Sequence, residues 1–177
     1  MPGIPTRRFR IYNAQQFFES FSEASPSIIY LYIARSNEWP NNDTTPTPVD
    51  TIQSTRYGPW RNMIACKKAQ ESDITFAFER YNWISGTVYA QYDDRDTNLY
   101  DSQFYVFTED FNVYKCLYNN QGAASTVKPT GTSTSTIETS DGYIWKFMFT
   151  ISSADRLKFQ TNLFLPVTTL ESDDASS

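Results

Sequence analysis

The chain has 177 residues, 40% of them hydrophobic, and a formal net charge of −5 with no dominant run of Lys or Arg. It contains no His, which excludes His-based triads and His-containing zinc sites, and it lacks the basic footprint that phosphate backbones require. No stretch of about 18 consecutive apolar residues is present to span a bilayer, so neither nucleic acid nor membrane is an expected partner.

This length suffices for one domain with its own core. The expectation is a single mixed domain over residues 1–170, followed by a short acidic flexible tail over 171–177. The basic start of the chain is followed by no apolar segment of the kind that secretory signals carry. Cys66 and Cys116 read as two buried free thiols of a protein made in a reducing cytosol. Aromatics are abundant, with 12 Tyr, 13 Phe and 4 Trp.

In chain order, Asn13 is the expected cap of a first helix, with Gln16 three residues on and Tyr12 and Phe17 at the staple positions. Ala14, Phe17, Phe18 and Phe21 then share one apolar stripe. The run from Ser27 to Ala34 is β-branched, aromatic and nearly all apolar, the composition of a central strand buried on both faces. A polar, Pro-punctuated loop follows. Asp50 and Gln53 offer a cap for a short helical stretch that Gly58-Pro59 breaks, and Trp60, Met63, Ile64 and Lys67 fit a further helical turn.

Beyond residue 70 the pattern is β. Ile74, Phe76 and Phe78 alternate with polar or small residues, as do Val88, Ala90 and Tyr92. Phe104–Phe107 and Val113–Tyr118 flank a short polar turn and read as a hairpin. The clearest strand places Tyr143, Trp145, Phe147, Phe149 and Ile151 in alternation, and Ser152 with Asp155 announces a short capped helix to about Gln160. Residues 121–140 are rich in Ser, Thr and Gly and read as a long loop or arm that orders on a neighbouring subunit. The class is α+β, predominantly antiparallel β-sheet in a sandwich-like arrangement with a few short helices.

Chemical motifs are weak. Asp94, Asp96 and Asn98 imitate the start of a calcium loop, but Leu99 and Tyr105 stand where Gly and Glu belong, so a solvated turn is the better reading. Carboxylates such as Glu79, Asp93, Asp101, Glu109, Asp110 and Asp141 show no spacing that singles out a glycosidase pair. No phosphate-binding or nucleophile-elbow fingerprint occurs, and no cofactor is expected. The aromatics carry the signal: Trp39, Trp60, Trp83 and Trp145, several beside Arg35, Arg61 or Arg80, suit a core and large protein interfaces better than a sugar-stacking platform.

The ordered segments Ile33–Trp39, Trp60–Met63, Arg80–Trp83, Tyr92–Asp94 and Val113–Leu117 are followed by a polar arm that runs into Asp141-Gly142-Tyr143-Ile144-Trp145. Together they resemble a baseplate wedge subunit of T-even-type contractile-tailed bacteriophages, over roughly the N-terminal half of that longer protein. The resemblance implies a mainly β fold with flanking helices and a non-enzymatic structural role. It also implies a homodimer within each wedge, contacting other wedge proteins and peripheral fibre-network proteins in a virion assembled in the host cytoplasm. Arg35, Trp39, Trp60, Arg80, Trp83, Asp93, Asp141, Gly142, Tyr143 and Trp145 are the expected structural or interface residues. The alternative expectation is a carbohydrate-binding β module of a tail fibre or secreted protein.

Overall fold

The computed structural model describes residues 6–34, 41, 43–44, 47, 51–52 and 57–167, the side chain of Pro59 apart. Among them are three short helices and eight strands in antiparallel sheets, which makes the fold α+β with antiparallel β dominant. Where the sequence suggests one domain over 1–170, the chain packs as two compact units, Met1–Ile74 and Thr75–Ser177.

In the N-terminal unit, helix α1 spans Arg7–Glu19 and starts well before Asn13, because the Thr6 hydroxyl accepts from the Phe9 backbone N–H at 3.3 Å and caps it there. None of its residues is buried. Phe21, just beyond it, is, and Phe17 meets its ring edge-on at 5.3 Å. Strand β1, Tyr30–Ala34, pairs antiparallel with β2, Met63–Lys68. Two expectations are corrected here. Met63, Ile64 and Lys67 do not extend a helix, since α2 ends after one turn, Gly58–Asn62, and the free edge of β1 recruits the next residues into a ladder. Nor is β1 a central strand. It has one neighbour in a two-stranded sheet and all five of its residues are exposed. Asp50 and Gln53 lie outside the described residues.

The C-terminal unit is built on a four-stranded sheet of order β4-β5-β7-β6: Tyr105–Phe107, Asn112–Asn119, Tyr143–Thr150 and Thr136–Glu138. Strands β3, Ala77–Glu79, and β8, Phe164–Pro166, form a second, two-stranded sheet. Leu165 of β8 and Phe78 of β3 pack with Phe107, Val113, Phe149 and Ile151 in one core cluster. A second cluster holds Val106, Tyr114, Cys116, Tyr143 and Trp145, with Tyr89 and part of Trp83 laid over it. The alternation around Val88 becomes no strand, because Thr87 meets only Ser125 in an isolated bridge. The expected hairpin of β4 and β5 forms, and α3, Ser153–Phe159, is capped by Ser152, whose hydroxyl accepts from the Asp155 N–H at 3.1 Å.

A register shift between Val113 and Tyr114 opposes Val113 to Phe149 but Tyr114 to Phe147. This bulge at Met148 hands the aromatic stripe of β7 from one core to the other. Phe147 joins the Trp145 cluster, and Phe149 joins the Leu165 cluster.

The polar stretch 121–140 is no free arm. Ser125 and Pro129 are fully buried, the Tyr114 hydroxyl donates to the Gly131 carbonyl at 2.8 Å, and residues 136–138 pair with β7 as β6. Its polar side chains satisfy the unit's own interior groups, so a low apolar content did not keep it off the body.

Candidate functional site

Arg35 and Trp39 lie outside the described residues. The other expected residues fall into different settings. Asp93 sits in an exposed turn, its Oδ1 accepting from the Arg95 N–H at 2.9 Å, while Asp96 does the same for Asn98 at 2.8 Å. These are Asx turns. Among the described residues no group of Cys, Asp and Glu is arranged to hold a metal ion.

Asp141, Gly142, Tyr143, Trp145 and Trp83 do come together. Thr139 and Tyr143 close the β6–β7 hairpin: the Gly142 N–H donates to the Thr139 carbonyl at 2.9 Å and the Thr139 N–H to the Tyr143 carbonyl at 3.0 Å. This geometry needs a left-handed residue before the second strand, and Gly142 supplies it at φ +82°. A Cβ there would stand 2.8 Å from Asn120 Nδ2, which donates to the Asp141 carbonyl at 3.0 Å.

The turn aims the Asp141 carboxylate inward. Its Oδ2 accepts from the backbone N–H groups of Thr126 and Val127 at 2.8 and 2.9 Å and from the Ser125 hydroxyl at 3.2 Å. Its Oδ1 accepts from the Thr139 hydroxyl and, at 3.4 Å, from the Tyr143 N–H. Desolvation pushes this carboxyl up, but the bonds from Thr139, Val127, Thr126 and Tyr143 outweigh it and hold the carboxyl at about 2. The group is therefore a charged clasp that ties residues 125–127 to the hairpin.

Around the clasp lies an aromatic interior. Tyr143 stacks on Trp145 at 5.3 Å, and Tyr89 meets Trp145 edge-on at 5.7 Å. The Tyr143 hydroxyl donates to the Ala123 carbonyl at 2.5 Å, and Trp83 Nε1 donates to the Ser125 hydroxyl at 3.1 Å. Trp145 is wholly buried, and its Nε1 has no hydrogen-bond partner among the described residues. Burial also pushes the Cys116 thiol up to about 12, which leaves it unreactive. Tyr89, Tyr143 and Trp145 fill the interior.

The N-terminal unit presents the opposite arrangement. Ile28, Tyr30, Leu31, Tyr32, Ile33, Ile64 and Trp60 are each at least 50% exposed, while Phe21 and Ala69 are its buried hydrophobics among the described residues. Cys66, in β2, is exposed rather than buried. Large apolar side chains at this exposure, on and beside a two-stranded ribbon, are uncommon on an uncovered surface.

Sequence reasoning missed Ser125 and Tyr89. Ser125 lies in a run whose composition resembles solvent-exposed loop, and only its acceptor and donor partners reveal its place. No family model and no curated protein matches the chain.

Proposed function

We propose that this chain is a structural assembly subunit of a contractile phage tail baseplate wedge. In that role it joins neighbouring wedge proteins and peripheral fibre-network proteins through apolar, aromatic-rich surfaces, as a homodimer within each wedge, and performs no catalysis. The ordered motifs that resemble the T-even wedge subunit, from Ile33–Trp39 through Asp141–Phe149, supply the family part of this reading.

One observation carries the assembly part. The N-terminal unit displays seven large apolar side chains on and beside a two-stranded ribbon and buries little of its own. Alternation along β1 turns Tyr30 and Tyr32 to one face and Leu31 and Ile33 to the other, so a covering partner would meet apolar side chains on either face. An isolated two-stranded ribbon is marginal in water, so a covering partner would also complete this unit's stability. The carbohydrate-binding alternative would draw on the exposed rings Tyr30, Tyr32 and Trp60, since Trp145 and Tyr143 are buried.

The test is limited proteolysis of the purified chain across a concentration series, followed by sedimentation with and without co-expressed tail proteins. Expected are rapid cleavage within 1–74 in dilute solution, a resistant fragment over 75–167, and protection of the ribbon on association. A monomer whose ribbon resists protease at every dilution, unchanged by tail proteins, would end this reading.

A further inference from the structure

The C-terminal unit holds an open cleft of about 440 Å³ that the clasp and the aromatic interior do not use. Arg80, Phe111, Arg156, Leu157 and Gln160 line it. An adjoining cleft of about 380 Å³ shares Arg80 and Phe111 and carries Lys128, which is already paired with Glu109 and Asp110.

Three observations converge there. First, two guanidinium groups line the cleft with no carboxylate paired to either among the described residues. Arg80 is fixed by its Nε–H to Asn82 Oδ1 at 2.8 Å and by Nη1 to the Thr161 carbonyl at 3.4 Å, which leaves further N–H donors unused. Arg156 lies over the Phe111 ring, its Cζ 3.4 Å from the centroid. Second, Arg156 Nε and Gln160 Oε1 are both buried without a partner among the described residues. Both atoms are closed off from solvent, so what the cleft offers a ligand is the remaining donors of its guanidinium groups.

Third, the backbone beneath the ring is strained. The β4–β5 hairpin repeats the turn of β6–β7, with the Phe111 N–H on the Thr108 carbonyl at 3.0 Å and the Thr108 N–H on the Asn112 carbonyl at 3.0 Å. Phe111 occupies the left-handed position that Gly142 fills in the other hairpin, at φ +63°. A bulky residue is costly there. What the side chain gains is a platform for Arg156, and strain of this kind gathers where a ligand is held.

From this we infer that the Arg80–Phe111–Arg156 cleft is a recognition site for an acidic segment of a partner protein. A Glu or Asp carboxylate meets the two guanidinium groups, and an adjacent apolar side chain rests on Leu157, which is 91% exposed. A free phosphate satisfies the arginines but leaves Leu157 without a partner. The cleft lies wholly within the C-terminal unit, so its test is independent of the apolar ribbon.

The test uses the full ¹⁵N-labelled chain titrated with the peptide acetyl-Ala-Glu-Leu-Ala-amide, its Gln-for-Glu counterpart, and inorganic phosphate, reading the arginine Nε–H and Leu157 amide signals. Saturable shifts at Arg80, Arg156 and Leu157 are expected with the Glu peptide, weakened about tenfold by Glu-to-Gln replacement and by added salt. Arg156→Lys keeps the charge but loses the guanidinium fork over Phe111 and is expected to weaken binding about tenfold, and Arg80→Lys serves as an independent second variant. Unchanged signals around buried Trp145 report that each variant is folded. Absence of saturable shifts up to about 10 mM peptide, or phosphate binding as tightly as the Glu peptide, overturns the inference.

Discussion

Asp141→Asn isolates the charge of the clasp while keeping its shape. In the native chain the carboxyl sits at about 2, against an ordinary value of 3.8. The corresponding free energy is about 2 kcal/mol at neutral pH, an upper figure for a partly exposed group. Asn also turns an N–H₂ toward donors, either toward Thr126 and Val127 or toward Thr139 and Tyr143, and a buried donor without an acceptor costs a further 1–3 kcal/mol or about that. Because the folded carboxyl is depressed, its stabilisation is complete above about pH 4 and is lost as pH falls from about 4 toward 2. Urea unfolding followed by tryptophan fluorescence at pH 7, 5, 3.5 and 2.5 measures this. The variant is expected to lose about 2–4 kcal/mol at pH 7, and its gap from the native chain to narrow only below about pH 4. Equal stabilities at pH 7, or a gap that stays constant down to pH 2.5, would refute the clasp.

Four further outcomes follow from the same geometry. Trp145→Ala should cost about 3–5 kcal/mol in chemical denaturation, and Trp145→Phe disproportionately less, since it also removes an unpartnered buried N–H. Gly142→Ala should lower stability by at least about 1 kcal/mol, measured as a shift in thermal midpoint, because the position is left-handed and a Cβ meets Asn120. At pH 8 a maleimide should label Cys66 rapidly and Cys116 only after unfolding, as read by mass spectrometry. Deleting residues 125–135 should abolish the near-ultraviolet circular dichroism of the fold, because Ser125 and Pro129 are buried and Gly131 holds Tyr114; a native spectrum would return this stretch to the status of a free arm.

Local patterning determined much of the C-terminal unit. The alternation from Tyr143, the polar turn between Phe107 and Asn112 and the Ser152 cap each act through neighbours a few residues away, and each forms where the sequence places it. Such signals are legible because hydrogen-bond geometry and side-chain periodicity are short-range. The resemblance expected from the sequence rests on the same local motifs. It named Asp141, Gly142, Tyr143 and Trp145 together, but not what holds them there.

Only the tertiary structure decided the rest. Whether Tyr30–Ala34 is a core strand or an exposed ribbon depends on which layers cover it, and a run of apolar residues carries the same sequence in either setting. Whether residues 121–140 swing free depends on distant partners such as Tyr114 and Asp141, which supply bonds that composition does not record. The bulge opposite Val113 and the left-handed Phe111 are likewise products of two strands meeting, and they place Phe149 in the second core and the Phe111 ring under Arg156. Burial and pairing are properties of the encounter between segments, so they become visible only when the segments have met.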